Sequence, residues 1–422
     1  MQHNTLPTEI VDGLVSVLGL IRSGAARTRP ELVRASGLGR SVVTERVARL
    51  LEQGVVVESG TAPSTGGRAA RELALSAHAG VILVAPLGAG RIRAGVTDLS
   101  GRLLTSHEEP MDIALGPSTV LGRVHEVFGK LLADLGPTAP VWGVGVGLPG
   151  PVEFASGRPM RPPIMPGWHD ADVRGWMAER YDVPVWVDND VNLMALGELK
   201  ARGSSPGQDM IFVKVGTGIG AGLVSRGELH RGAKGCAGDI GHVEISAARE
   251  VVCRCGNIGC LEAHAGGGAL VRRALEAVNQ GRSPYLARIL EEHGQLKIED
   301  IARGGQEGDG VSVELLMDSG RLLGQTLATL VNFFDPHVVV LGGVLGGDSD
   351  PLLAAVRETV YRRSLPLATR DLFIERTGSR KDPSLVGVAS MVLDELFSRD
   401  QLSRWLEAGS PRGLPVLPRS VS

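Results

Sequence analysis

Apolar residues recur at helical spacing from the start of the chain, with Ile10, Leu14, Leu18 and Ile21 on one face of a predicted helix. Thr28-Arg-Pro-Glu31 has capping-box form with proline just inside a second, short helix that Gly37 closes. A third helix follows Gly39 and stops at Gly54. Val43, Val47 and Leu50 form its apolar stripe, so Ser41, Glu45 and Ala48 point away, with Thr44 and Arg49 at the flanks. Val55 to Glu58, a turn-rich stretch from Ser59 to Arg68, and Arg71 to Leu75 read as a β-hairpin. Residues 1–78 therefore predict a winged helix-turn-helix, with 41–53 as its recognition helix and the hairpin as its wing.

From Val81 the pattern changes to apolar strands alternating with amphipathic helices. Strands are expected at 81–86, 92–98 and 102–107, joined by turns at Gly88-Ala-Gly90 and Leu99-Ser-Gly101, before a helix at 117–135 and the run from Trp142 to Pro151. A second set begins with Met210 to Val215, turns through Gly216 to Gly222, and reaches Val338 to Gly343 after a long helix at 312–334. Each set runs strands, helix, parallel strand, which predicts a duplicated α/β plan with glycine turns facing a cleft. The expected division is a first lobe over 79–205, a second over 206–383, a helix at 384–407 returning to the first lobe, and a disordered tail at 408–422.

With 422 residues, 43% of them hydrophobic, the chain has material for two or three cores. The first residues carry no signal-peptide pattern, and no apolar stretch approaches the ~18 residues that a membrane span needs, so a cytoplasmic protein is expected, with no membrane partner. The net charge of −3 excludes a globally basic nucleic-acid coat, yet residues 1–78 hold 9 Lys and Arg against 7 Asp and Glu. DNA contact is therefore expected there. Arg40 and Ser41 open the recognition helix, where side chains and free N–H groups meet phosphates and base edges; Thr44, Glu45 and Arg49 are further candidates, and Arg68 after Gly66-Gly67 is placed for a minor groove. The alternative is a generic three-helix adaptor or dimerisation module.

Three of the four cysteines fall within Cys253-Arg-Cys255-Gly-Asn-Ile-Gly-Cys260, with His242 upstream. Three thiolates and an imidazole make the four N/S donors of a structural zinc site, and Gly256 and Gly259 let the loop fold back. Such a closed site shapes a loop; the alternative is three incidental thiols. Further upstream, Val185 to Glu198 sets Asn189-Asp190 between a strand and a helix, a crevice position, where Asp190 is either a functional carboxylate or the N-cap of that helix.

Gly238-Asp-Ile-Gly-His242 combined with Cys253-x-Cys255-Gly-x-x-Gly-Cys260-x-Glu262 resembles the ROK family of repressors and sugar kinases, and the resemblance runs from about residue 8 to 400. It is closest to the helix-turn-helix branch that includes regulators of xylose and N-acetylglucosamine genes. The resemblance implies an actin-like (ribonuclease H-like) two-lobed fold. It also implies a general-base role for Asp190, hydroxyl binding by Asn189, and sugar contacts from Asp239, His242 and Glu262, with His242 shared between sugar and zinc. The family usually has glutamate where this chain has Asp239. Where sugar kinases resemble D-x-G-G-T-K in the first phosphate loop, this chain reads Pro86-Leu-Gly88-Ala-Gly90-Arg91, losing a carboxylate for Mg²⁺ and a hydroxyl for phosphate. Arg91 keeps a positive charge. A second phosphate loop with Gly216, Thr217, Gly218 and Gly220 implies residual nucleotide binding, with efficient ATP/Mg²⁺ catalysis not expected.

The function expected is a DNA-binding transcriptional regulator, a repressor, that senses a sugar or sugar derivative in a degenerate kinase cleft. As a homodimer or homotetramer it would read an inverted repeat in operator DNA. The alternatives are an active ATP-dependent hexose or N-acetylhexosamine kinase with a DNA-binding appendage, and a zinc-stabilised regulator answering to a phosphocarrier or other protein.

Overall fold

The structure, a computed structural model, describes residues 7–61, 70–136, 139–203, 207–245, 251–378 and 383–416. The first three helices are Thr8–Ser23, Arg29–Ser36 and Arg40–Glu52. The capping box at Thr28 forms as the sequence predicts: Glu31 N–H donates to Thr28 Oγ1 at 3.4 Å and Thr28 N–H to the Glu31 carboxylate at 3.0 Å. Leu14, Leu18, Leu32, Val43, Val47 and Leu50 are buried together beneath the hairpin Val56–Thr61/Arg71–Leu75. The connecting turn, and with it Gly66, Gly67 and Arg68, lies outside the described residues.

Two five-stranded sheets follow, and they share one topology. The first runs in the order Leu103–Pro110, Arg91–Asp98, Val81–Pro86, Val141–Leu148, Val185–Asn189. The second runs Glu228–His230, Ile219–Ser225, Met210–Val215, Val338–Gly342, Phe373–Arg376. In each, the first two pairings are antiparallel and the last two parallel. This α/β architecture is the duplicated plan that the sequence predicts, and the central strands are buried, Lys214 excepted, because both sheet faces are covered.

Helix Asp190–Ala201 lies between the sheets and belongs to both. Val191, Ala195 and Leu199 pack on Met210, Phe212, Val224, Val338 and Val340 of the second sheet. Leu193 and Leu196 instead join the core around Trp186 and Val388. Its tightest neighbour is helix Pro383–Leu396: a Cβ at Gly197 would collide with the Pro383 carbonyl, and one at Gly387 with the Leu193 carbonyl. These backbones touch because neither position carries a side chain.

The C-terminal region departs from expectation in two ways. The single helix expected at 384–407 is two, Pro383–Leu396 and Arg399–Ala408, separated by extended backbone at Ser398. The second folds back so that Trp405 Nε1–H donates to the Leu396 carbonyl at 2.9 Å and its ring lies 5.3 Å from that of Trp142. The first part of the expected disordered tail is also ordered: Gly413 N–H donates to the Asp182 carbonyl at 2.8 Å, and Leu414 and Val416 pack against the core. Two apolar side chains with something to cover hold a segment that composition alone reads as loose; residues 417–422 lie outside the described region.

Candidate ligand cleft and metal centre

Strand Val185–Asn189 delivers Asn189 and Asp190 to the C-terminal edge of the first sheet, where helix Asp190–Ala201 starts. Asn189, not Asp190, is the N-cap: its Oδ1 accepts from Val191 N–H at 2.9 Å and Asn192 N–H at 3.4 Å, while its Nδ2 donates to the Gly150 carbonyl at 2.8 Å. The cap alternative for Asp190 is thereby excluded, and its carboxylate is left to a different partner. Lys214, near the end of strand Met210–Val215, places Nζ 2.5 Å from Asp190 Oδ2. Two steps along the same strand edge, Asp188 is almost wholly buried and accepts from Arg231 Nε at 2.7 Å and from Asn192 Nδ2 at 2.9 Å. The Arg231 guanidinium stacks 3.9 Å over the Phe154 ring. Arg202 donates to buried Glu198 at 2.9 Å and also pairs with Glu375, and Thr377 Oγ1 donates to Glu198 at 2.7 Å. Three polar bridges thus join the elements around the first sheet to the second, all anchored on or beside the shared helix.

The sequence reading missed Lys214, Asp188 and Arg231. Lys214 had a signal, a lone charge inside the apolar run Met210-Ile-Phe-Val-Lys-Val215. Asp188 and Arg231 lie 43 positions apart, a pairing that only the fold reveals.

Glu262 opens helix Leu261–Ala265 and reaches back to the second glycine loop, accepting from Ile219 N–H at 3.1 Å, with Arg254 3.8 Å from its other oxygen. A Cβ at Gly218 would collide with that carboxylate. The loop itself is shorter than expected. Gly216, Thr217 and Gly218 form the turn, but Gly220 lies in strand Ile219–Ser225 beneath Val191, and Gly222 meets the Val191 carbonyl and Ala195. Those glycines make room for a helix, and Gly220 stands in the strand rather than in the turn. In the first loop Arg91 is paired with Glu108 at 2.5 Å, and the carbonyls of Ala89 and Gly90 accept from Ile113 and Met111 N–H.

His242, Cys253, Cys255 and Cys260 come together with all four donor atoms within 4.8 Å of one another, a set able to hold a metal ion. His242 Nδ1 is 3.6 Å from Cys253 Sγ, and the Cys255 and Cys260 sulfurs are 3.7 Å apart. Cys236 is exposed and outside the group. Isolated bridges Glu244 to Cys260 and Val252 to Ile258 close the loop. Burial pushes the Cys260 thiol up to about 12 and raises Cys253 as well. Burial also acts against the Cys255 thiolate, but the Asn257 backbone and the neighbouring sulfurs outweigh it and bring that thiol down. His242 presents its other nitrogen, Nε2, 3.9 Å from Asp239, which stays 44% exposed at the rim.

On the N-terminal unit Arg40, Ser41, Thr44 and Glu45 are exposed and Arg49 is half-buried, while Arg46 turns inward against Gly13. The Thr44 hydroxyl donates to the Arg40 carbonyl at 2.8 Å, and the Glu45 carboxylate lies 2.7 Å from Arg46.

A family model described as "ROK family" matches residues 85–395. The chain belongs to the ROK family. It is 29% identical to the xylose repressor of Caldicellulosiruptor bescii over 94% of this chain and 99% of that protein. It is 27% identical to the DNA-binding transcriptional dual regulator NagC of Escherichia coli, over 93% and 95% respectively. A crystal structure of a ROK family transcriptional regulator, a homologue of the Escherichia coli MLC protein, superposes with a TM-score of 0.80 at 23% identity, covering 95% of this chain and all of that one. The ROK glucokinase of Streptomyces griseus, solved with glucose and AMPPNP, matches with a TM-score of 0.65 at 25% identity but covers only 74% of this chain. Repressors therefore match more than nine-tenths of this ROK chain, whereas that kinase matches about three-quarters of it.

Proposed function

We propose that this ROK protein is a sugar-responsive, DNA-binding transcriptional regulator whose N-terminal helix-turn-helix reads operator DNA. The observation that carries the reading is the full-length match to repressors, the N-terminal unit included, set beside a kinase body whose first loop has lost its aspartate and threonine and has its arginine tied to Glu108. A kinase reading has less support, because phosphoryl transfer needs metal and phosphate held in place.

The domain division fits this reading: 1–78 for DNA, 79–205 and 206–383 for the lobes. Asn189, Asp190, Asp239, His242 and Glu262 are its sugar-facing candidates. Arg40, Ser41, Thr44, Glu45, Arg49 and Arg68 are its DNA-facing ones; with the hydroxyl engaged, Thr44 would offer a methyl to thymine. Paired copies reading an inverted repeat follow from the single reading unit per chain. The metal is zinc in this reading. Tetrahedral bonds of about 2.3 Å to sulfur and about 2.05 Å to nitrogen put sulfur pairs about 3.8 Å apart and sulfur–nitrogen pairs about 3.6 Å apart, close to the 3.7 Å between Cys255 and Cys260 and the 3.6 Å between His242 and Cys253. Zinc would supply a closed structural crosslink. The protein's own part is to orient His242, whose Nε2–H then faces Asp239 and the cleft.

The route from cleft to reader is continuous in side chains. Asp190 begins the shared helix, whose backbone is locked against helix Pro383–Leu396 at Gly197 and Gly387. On that second helix, Asp394 pairs with Arg22 of the first reader helix and lies 3.9 Å from Lys200 of the shared helix. Arg22 also donates to the Leu393 carbonyl at 3.1 Å, and Arg399 pairs with Asp12 at 2.8 Å. A ligand that shifts the shared helix shifts the surface on which the reader sits. Fluorescence anisotropy on a duplex selected by the purified protein from a random library tests the proposal: one class of sugar should change DNA affinity, and no change across a broad sugar panel would overturn the sensor reading.

A further inference from the structure

Lys214 is a cation beside Asp190 that the family resemblance gave no reason to notice. It sits at the C-terminal end of the central strand of the second sheet, on the same face as Phe212, which packs on the shared helix. Both neighbouring strands place glycine opposite it, Gly220 beneath Val191 on one side and Gly342 beneath the Phe212 ring on the other, so the two cross-strand partners bring no side chain of their own to its stem. Its ammonium meets Asp190, and the two side chains keep 26% and 9% of their surface exposed, which leaves the pair reachable from the cleft.

We propose that Lys214 is a ligand-contacting residue, and that Lys214 and Asp190 together read one sugar hydroxyl from both sides, Asp190 accepting a hydrogen bond from its O–H and Lys214 donating one to its oxygen. The inference rests on the sugar-sensing reading and names the ligand class for it: a neutral sugar with free hydroxyls. A hydroxyl is donor and acceptor at once, so it can insert between the two charges without leaving either unpaired, whereas an alkyl group would strand both. An anionic group is disfavoured because, among the described residues named here, four carboxylates face three cations. Asp188 faces Arg231, Asp190 faces Lys214, Glu262 faces Arg254, and Asp239 adds a fourth carboxylate. The same geometry assigns Asp190 a binding role: the carboxylate oxygen that would take a proton in a kinase here meets a fixed ammonium, so the hydroxyl is held and keeps its proton.

Isothermal titration of D-xylose, D-glucose, N-acetyl-D-glucosamine and the two hexose 6-phosphates into the full chain, wild type and variants, tests this. A neutral sugar should bind the wild type, and Lys214→Met and Asp190→Asn should each weaken it at least tenfold. The double variant, which strands no charge and is expected to keep its melting temperature, should bind no more weakly than the worse single variant, showing that the two side chains act on one hydroxyl. Unchanged affinity in Lys214→Met, additive losses in the double variant, or tenfold tighter binding of a 6-phosphate than of its parent sugar would overturn the proposal. Failure of the wild type to bind any of the five would instead remove the sugar-sensing reading on which it stands, a separate and recognisable result.

Discussion

Cys253, Cys255 and Cys260 illustrate what a few residues can state on their own, because with His242 they form a donor set able to hold a metal ion. Replacing Cys255 with serine should abolish stoichiometric metal in elemental analysis and lower the melting temperature, with the change confined to 236–262 in hydrogen exchange. Binding must displace protons from Cys260 and Cys253, whose thiols burial has raised, so chelator competition should show affinity falling as pH is lowered. Asp190 taught the opposite lesson. The strand-to-helix position was legible, yet its two readings, base or cap, could be separated only by seeing Asn189 accept the cap hydrogen bonds. Lys214 was visible as an odd charge in an apolar strand, but its partner lies 24 positions away across the cleft. On the reader, Thr44→Ala should alter preference at one or two base pairs, and Arg68→Ala should weaken binding to all duplexes with a shallower salt slope; both are checked by anisotropy titrations at several salt concentrations.

Among the elements, periodicity located the three reader helices, the strands of the first sheet, the two central strands of the second and its long helix, because alternation and helical spacing are read locally; helices such as Gly267–Asn279, Pro284–His293 and Asp350–Arg363 and the edge strand Phe373–Arg376 were not anticipated. It failed where tertiary contact decided. Gly220 and Gly222 look like loop glycines, yet they lie in a strand because a helix crosses there; the break at Ser398 and the ordered stretch to Val416 depend on Trp142, Asp182 and the core beneath them. The glycine contact between helices Asp190–Ala201 and Pro383–Leu396 is the element-level feature with the sharpest consequence. Gly387→Val places a side chain where the Leu193 carbonyl already stands and should cost about 3 kcal/mol or more, read as a lowered melting temperature. Asp394→Ala should act differently. It removes the partner of Arg22 and the neighbour of Lys200, so sugar binding and DNA binding should each persist while the dependence of one on the other shrinks, which paired titrations measure.

For the whole molecule, the duplicated sheets and the helix they share make a body that can answer a ligand in its cleft, and the N-terminal unit rests on that body through Arg22 and Asp12. Among the described residues no helix is long and apolar enough to cross a membrane. The account's central claim is that a kinase-derived cleft now governs DNA affinity. Its most direct test is anisotropy of the purified full chain on its selected duplex, titrated with the neutral sugar that it binds, with ADP release from ATP followed in the same samples. The account predicts a shift in DNA affinity of about five- to 150-fold, the range of coupling of about 1–3 kcal/mol, and no sustained ADP release. Sugar-dependent ADP release abolished by Asp190→Asn, with DNA affinity unmoved, would contradict it.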